Sequence, residues 1–143
     1  MEKLRKGVVG VIINSQKQVL LFERSDRPNT WQFPQGGIKK SETPEEALYR
    51  ELLEEIGTNK CDILKRGVGT TVYHWPKISG KYLGQEHTWF LCSLHLNVLP
   101  ILKNSDGSFV AYGWETPENA IKKVIDWKRP SYEQGLKELG FTF

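Results

Sequence analysis

Residues 36–57 read GGIKKSETPEEALYRELLEEIG, and the way this stretch starts and stops decides the fold. Thr43 stands where a helix N-cap belongs, Pro44 follows at the first helical position, and Glu46 lies at N3, the pattern of a capping box. Gly57 is the residue expected just past the last turn, where a left-handed backbone ends a helix. Between these signals Ala47, Leu48, Leu52 and Ile56 form one apolar stripe, so the spacing predicts a helix over 44–56. The opposite face is acidic. Glu51, Glu54 and Glu55 are spaced i, i+3, i+4, which gathers three carboxylates on one patch. Like charges placed this way repel, and a divalent cation offsets the repulsion. Hard oxygen donors without His or Cys favour Mg²⁺, Mn²⁺ or Ca²⁺ over zinc. Taken alone, such a helix reads more readily as a solvated face, and its surroundings must decide.

Charge is the first part of those surroundings. The 143 residues carry a net charge of +3, from 20 Lys and Arg against 17 Asp and Glu. One Arg and six Glu of that total fall in residues 42–56, leaving 19 cations against 11 anions, or +8, everywhere else. An acidic helix in a basic surround suits a polyanionic ligand held by cations, with metal between it and the carboxylates. With 38% hydrophobic residues, the chain has material for one sizeable core, which predicts a single domain over 1–143 and excludes disorder. No apolar run reaches membrane-spanning length, and Val8–Ile13 after MEKLRKG is too brief for a signal peptide. Cys61 and Cys92 make neither a disulfide framework nor a zinc site; they read as reduced thiols in a cytoplasmic protein.

Outward from the helix, the pattern is α+β. Val8–Ile13 and Val19–Phe22 flank the turn Asn14-Ser15-Gln16-Lys17 and predict an opening hairpin. Residues 24–30 are a polar, Pro-containing loop, followed by WQFPQGG, an aromatic alternation that ends in a glycine pair. Strands are expected near 67–74, 88–95 and 109–114, and helices over 117–125 and 131–139.

Gly36, Glu42, Arg50, Glu51, Leu52, Glu54, Glu55 and Gly57 stand at the spacing G-x5-E-x7-R-E-U-x-E-E-x-G-U, where U is bulky and apolar. This resembles the Nudix box, with Thr58 at the last U position as a minor departure. At residue frequencies of about one in fifteen, seven fixed matches arise by chance on the order of 10⁻⁸ per start, which excludes coincidence. The resemblance implies an α/β/α sandwich with a mixed sheet, and hydrolysis of a phosphoanhydride in a nucleoside diphosphate derivative. It implies Glu51, Glu54 and Glu55 as ligands of Mg²⁺ or Mn²⁺, a carbonyl of Gln35 or Gly36 completing the set, and Glu42 with Arg50 as a structural pair that orients loop and helix.

The flanks are similar to one branch of that family, the bacterial RNA pyrophosphohydrolases and dinucleoside polyphosphate hydrolases. WQFPQGGI precedes the box, Tyr73-His74-Trp75-Pro76-Lys77 resembles a Tyr-x-x-Pro-Lys segment, Gly84-Gln85-x-x-x-Trp89-Phe90 resembles a GQ-x-x-x-WF strand, and Trp127-Lys128-Arg129 resembles an aromatic-Lys-Arg segment. Chemistry gives these residues roles. Arg24, with either Arg5 or Lys6, is expected on phosphates. Trp127 and Lys128 suit a stacked base with a pinned phosphate, and Tyr73 and Gln85 suit nucleotide contacts. Trp89 reads instead as a core aromatic, Lys128 and Arg129 read equally as surface charges, and Lys39 and Lys40 as solvated loop charges.

One position departs from the branch. Its members carry a further Glu six residues before a Trp; counting back from Trp114 gives Ser108, which is neither a carboxylate ligand nor a base near neutral pH. Asp106, two residues earlier in a Gly-containing loop, is the candidate replacement. The leading expectation is therefore an RNA 5′-pyrophosphohydrolase that converts 5′-triphosphate RNA to 5′-monophosphate RNA. The alternatives are hydrolysis of diadenosine polyphosphates or (d)NTPs, and a non-catalytic nucleotide- or RNA-binding module that only Ser108 supports. The expected partners are triphosphorylated RNA or a nucleoside polyphosphate, with no membrane and no DNA specificity. Oligomeric state is not legible.

Overall fold

The computed structural model describes residues 3–143, apart from the side chains of residues 77–79; Lys77 of the Tyr-x-x-Pro-Lys resemblance thus lies outside the described side chains. Strands β1 (Leu4–Ile12), β2 (Val19–Arg24), β3 (Trp31–Gln32) and β4 (Gln35–Gly37) lead into helix α1 (Pro44–Ile56). The long strands β5 (Cys61–Ser79) and β6 (Tyr82–Leu94) follow, then β7 (Phe109–Glu115) and helices α2 (Pro117–Lys123) and α3 (Arg129–Glu138). Every expected element is present, and β5 and β6 run longer than the sequence signals suggest.

Two sheets result. One has the order β4-β1-β6-β5 and is mixed, since β1 and β6 are parallel while its other pairings are antiparallel. The other is antiparallel, β3-β2-β7. The expected opening hairpin is a correction. The turn forms, but β1 and β2 share only the bridge Ile13↔Val19 before they enter different sheets. The reason is burial: Val8, Val9, Val11 and Ile12 are all fully buried, so both faces of β1 need cover and the strand becomes an interior one.

Those two faces meet two cores. On one side Val8, Ile12, Phe90 and Cys92 pack with Ala47, Leu48, Leu52 and Ile56 of α1. On the other, Val9, Val11, Phe33 and Trp89 pack with Ala120, Tyr132 and Leu136 of the later helices. The layers are thus helix, sheet, helix, as the resemblance implied. Trp89 is fully buried and donates to Thr71 Oγ1 at 2.7 Å, so its core reading holds. Cys61 and Cys92 are buried and form no disulfide. Among the described residues, no helix is long and apolar enough to cross a membrane.

Helix α1 ends as its sequence predicts. Thr43 Oγ1 accepts from the Glu46 amide, Glu46 answers to the Thr43 amide, and Gly57 is left-handed at φ 77°. A side chain at Gly57 would also strike the carbonyl of Ile101, whose amide donates to Ile56 O at 2.8 Å. This close approach stitches the 101–108 loop to the end of α1.

Gly135 of α3 lies flat on the Trp89 indole, and a Cβ there would fall 2.0 Å from a ring atom. Helix propensity alone favours Ala over Gly by about 1 kcal/mol. Overpacking a rigid, fully buried ring costs about 1–3 kcal/mol or more, so the steric cost wins. Gly135→Ala is expected to lower the urea midpoint and the Tm; an unchanged or raised midpoint would refute this packing.

Candidate active site

The site is a cleft of about 790 Å³ where the two sheets, the end of α1 and the loop before α3 converge. Its carboxylate wall is set by strand alternation in β4, an edge strand. Ile38 donates to Lys6 O, so residues 36 and 38 turn their backbone groups toward β1. Gln35 and Gly37 turn theirs outward, toward α1. There the Gln35 amide donates to Glu55 Oε1 at 2.9 Å, and Gly37 O accepts from Arg50 Nη2 at 2.8 Å.

This alternation corrects one expectation. The Gly36 carbonyl faces Gly7 of β1, where a Cβ would meet it at 2.6 Å, so of the two candidate carbonyls only that of Gln35 faces outward. Gly36 matters for a different reason. A Cβ on it would lie 2.0 Å from Glu51 Cδ, so only glycine leaves room for this carboxylate against the strand.

Arg50 fastens the arrangement. Its guanidinium binds Glu42 at 2.6 and 2.9 Å, Glu51 Oε1 at 2.8 Å and Glu54 Oε2 at 3.4 Å. Glu42 is held well below the ordinary carboxylate range, to about 2, by the Arg50 hydrogen bonds and the Lys39 amide. Glu42 and Arg50 therefore form the orienting pair expected from the sequence. The other carboxylates go the opposite way. Burial raises Glu51, and burial together with the charges of Glu51, Asp106 and Glu54 pushes Glu55 up to about 9, against the lowering effect of the Gln35 amide.

These residues fit a divalent cation in their chemistry: all-oxygen donors, one of them desolvated, beside a strand kept bare at Gly36. Among the described residues, no three of His, Cys, Asp and Glu are gathered closely enough to hold an ion as they stand. Arg50 claims Glu51 and Glu54 instead, and Glu54 lies toward the rim, its side chain 45% exposed.

Asp106 reaches the same wall. Its amide donates to Glu54 O at 2.7 Å, while Ser108 O accepts from Ser25, so the loop is pinned both to α1 and beside Arg24. Asp106 and Ser108 both line the cleft with Glu51 and Glu55. Asp106 Oδ1 accepts from the Ser108 amide at 3.0 Å.

Arg5, which lies against Gly37, and Arg24, Arg27 and Lys128 also line the cleft. Lys6 does not, which corrects its expected role. Side chains alternate along β1, so Arg5, Gly7 and Val9 share the face of their partners Gln85, His87 and Trp89, and Lys6 points the other way. Arg24 is held in a fork by Asp26 at 2.7 and 2.8 Å. Lys128 is no surface charge: it is 4% exposed, lies over the rings of Trp127 and Tyr73, and donates to Gln32 at 3.4 Å. Burial and the nearby Arg24 push it down to about 8.

Trp127 packs edge-on to Tyr73, and Gln85 and Trp75 complete the lining. Sequence reasoning missed Asp26, Arg27, Gln32 and the buried Tyr132, whose hydroxyl donates to Gln35 Oε1. Position 26, two residues from Arg24 in a polar loop, carried a usable signal. Tyr132, 97 residues from its partner, carried none.

Against known proteins, the NUDIX domain model matches residues 3–135. The RNA pyrophosphohydrolase of Helicobacter pylori (strain P12) is 39% identical over 142 residues, covering 93% of this chain and 91% of that protein. That of Rhodospirillum rubrum is 36% identical over 146 residues, covering 96% and 88%. Among solved structures, the E. coli dihydroneopterin triphosphate pyrophosphohydrolase superposes with a TM-score of 0.71 at 20% identity, over 95% of this chain and 99% of that one. A C. elegans Ap4A hydrolase binary complex gives 0.68 at 22%, over 96% and 100%. At those identities the structures show the shared fold alone.

Two tests follow from the carboxylate wall. Gly36→Ala displaces only the flexible end of Glu51, so Tm should hold while divalent-cation affinity, followed by calorimetry, falls at least about tenfold. Unchanged affinity would remove Glu51 from the cation site. The second concerns Glu55. Its folded value of about 9 exceeds its ordinary 4.5, so between these the folded state holds a proton that the unfolded state lacks. From about pH 6.5 to 8, where neither His87 (held down to about 3) nor Lys128 (about 8) adds an opposing change, cation-free stability should therefore fall as pH rises, and cation binding at pH 7.5 should release close to one proton. Equal calorimetric heats in buffers of different ionisation enthalpy would contradict this.

Proposed function

Since this chain belongs to the Nudix family and is a Nudix hydrolase, we propose that it removes pyrophosphate from 5′-triphosphorylated RNA, leaving a 5′-monophosphate, with residues 1–143 acting as one catalytic domain. The observation that carries this reading is a cleft lined by both charges: Glu51, Glu55 and Asp106 share it with Arg5, Arg24, Arg27 and Lys128, in a space sized for a nucleotide polyphosphate. Family members use a divalent metal. For this chain we assign Mg²⁺ or Mn²⁺, held by Glu51, Glu54, Glu55 and the Gln35 carbonyl, on the strength of the all-oxygen donor set. When bound, the metal neutralises phosphate charge and lowers the pKa of the attacking water.

The protein's own residues do the rest. The cations of the cleft bind and align the phosphates, with Arg24 held in register by Asp26. Asp106 is the proposed acceptor of the water proton, standing on the cleft wall beside the serine that replaces the branch's usual Glu. Trp127, Tyr73, Gln85 and Lys128 receive the nucleotide. RNA is preferred over a dinucleoside polyphosphate because the relatives at 36–39% identity are RNA pyrophosphohydrolases and the basic surround adds salt-dependent affinity for a longer backbone.

The decisive assay supplies the metal with 5′-triphosphate RNA, diadenosine tetraphosphate or dNTPs, and resolves the products. Pyrophosphate release should be fastest from RNA; faster turnover of diadenosine tetraphosphate would move the assignment to that substrate, and none at all would end the enzyme reading. Glu55→Gln should lower kcat by about 10²-fold or more with the fold intact. Asp106→Asn should cost about 10²-fold and flatten the acid limb of the pH–rate profile; an unaltered rate would clear Asp106 of the base role.

A further inference from the structure

A line of hydrogen bonds runs from the second core into the cleft. The Tyr132 hydroxyl donates to Gln35 Oε1, Gln35 Nε2 donates to Tyr73 Oη at 3.0 Å, and Tyr73 Oη donates to Gln85 Oε1 at 2.9 Å. The line has only one consistent direction. Tyr132 is fully buried and Gln35 Oε1 is the acceptor within reach of its hydroxyl among the described residues, so its proton goes to Gln35; the reverse direction would leave that buried proton without an acceptor. An amide with its oxygen so engaged presents its nitrogen to Tyr73. A Tyr73 oxygen that accepts from nitrogen must spend its proton on Gln85 Oε1. Each step fixes the next.

The last member is the one that meets solvent. Gln85 is half-buried and lines the cleft, and with its oxygen taken by Tyr73 its two Nε2 protons have no acceptor among the described residues. Arg5 is its register partner on β1 and lines the same wall. Neither of the two offers an acceptor to the cleft.

We propose that Tyr132 is a positioning residue for substrate. Acting through Gln35 and Tyr73, it locks the Gln85 amide with its N–H groups toward the cleft, so that beside Arg5 it receives an acceptor-only atom of the nucleotide, a phosphate oxygen or a base acceptor. This deepens the function proposed above and rests on the cleft taking a nucleoside polyphosphate. Without the lock, Gln85 can rotate its amide and present the oxygen, which repels the same atom.

The test is a double-mutant cycle on binding, which needs no turnover. A non-hydrolysable methylene analogue of ATP and inorganic tripolyphosphate are titrated into the unaltered protein, Tyr132→Phe, Gln85→Ala and the double variant, each with Mg²⁺. Tyr132→Phe should weaken analogue binding by roughly 3- to 10-fold, the size of one neutral hydrogen bond, and should raise KM for the RNA with kcat within about twofold. In the Gln85→Ala background it should have no further effect. A matching loss with tripolyphosphate assigns the acceptor to phosphate; a loss confined to the nucleotide analogue assigns it to the nucleoside. If Tyr132→Phe does not fold, side-chain amide NMR of the unaltered protein carries the test: the Gln85 Nε2 protons should shift when the analogue or tripolyphosphate is added, and unshifted signals would overturn the proposal. Unchanged affinity, or losses that simply add, would overturn the proposal. Failure of the unaltered protein to bind either probe would overturn it too. Tight binding without RNA turnover would overturn the function proposed above and leave this one standing.

Discussion

The site depends on one guanidinium. Arg50 is the only cation of residues 42–56, and it joins a loop residue, Glu42, a strand carbonyl, Gly37 O, and two helix carboxylates, Glu51 and Glu54. Without it, α1 would bring mutually repelling carboxylates to an edge strand with nothing to set their distance. A planar fork with five donors can hold partners in several directions at once; a lysine, with one compact charge, cannot. Arg50, Glu42 and Glu51 keep little of their side chains exposed while Glu54 stands at the rim, so the clamp grips most firmly toward the loop and the strand.

Around that clamp the cleft holds charges away from ordinary values, and for one shared reason. Burial raises Glu55 and lowers Lys128, which favours the neutral form of each. At neutral pH Glu55 is therefore protonated, while Lys128, at about 8, keeps most of its charge. A cation bound by Glu55 must displace that proton, so cation binding and proton release are linked at the carboxylates.

The sequence was legible wherever the physics is local. The capping box at Thr43, the glycine stop at 57 and the apolar stripe of α1 are each settled by neighbours within a few residues, and all stand as read. The acidic spacing and the flanking segments likewise located the cleft-lining Arg24, Tyr73, Gln85 and Trp127. What failed was what pairing decides. Val8–Ile12 and Val19–Phe22 look like a hairpin because a turn joins them, but burial on both faces sends them to separate sheets. Choosing Arg5 over Lys6, or Gln35 over Gly36, needs the strand register, because a shift of one residue exchanges faces. Lys128 read equally as a site residue and as a surface charge, and only its burial over the rings of Tyr73 and Trp127 decides between the two.

The β4 edge carries a wider consequence. An edge strand with outward amide and carbonyl groups is a template for another chain's strand, and proteins blunt such edges to stay apart in solution. Here the outward amide of Gln35 is taken by Glu55 and the outward carbonyl of Gly37 by Arg50. The same side chains that line up the carboxylates thus keep this border closed to foreign strands. A substitution at Arg50 or Glu55 would reopen part of it, so the residues that shape the cleft also guard the chain against self-association.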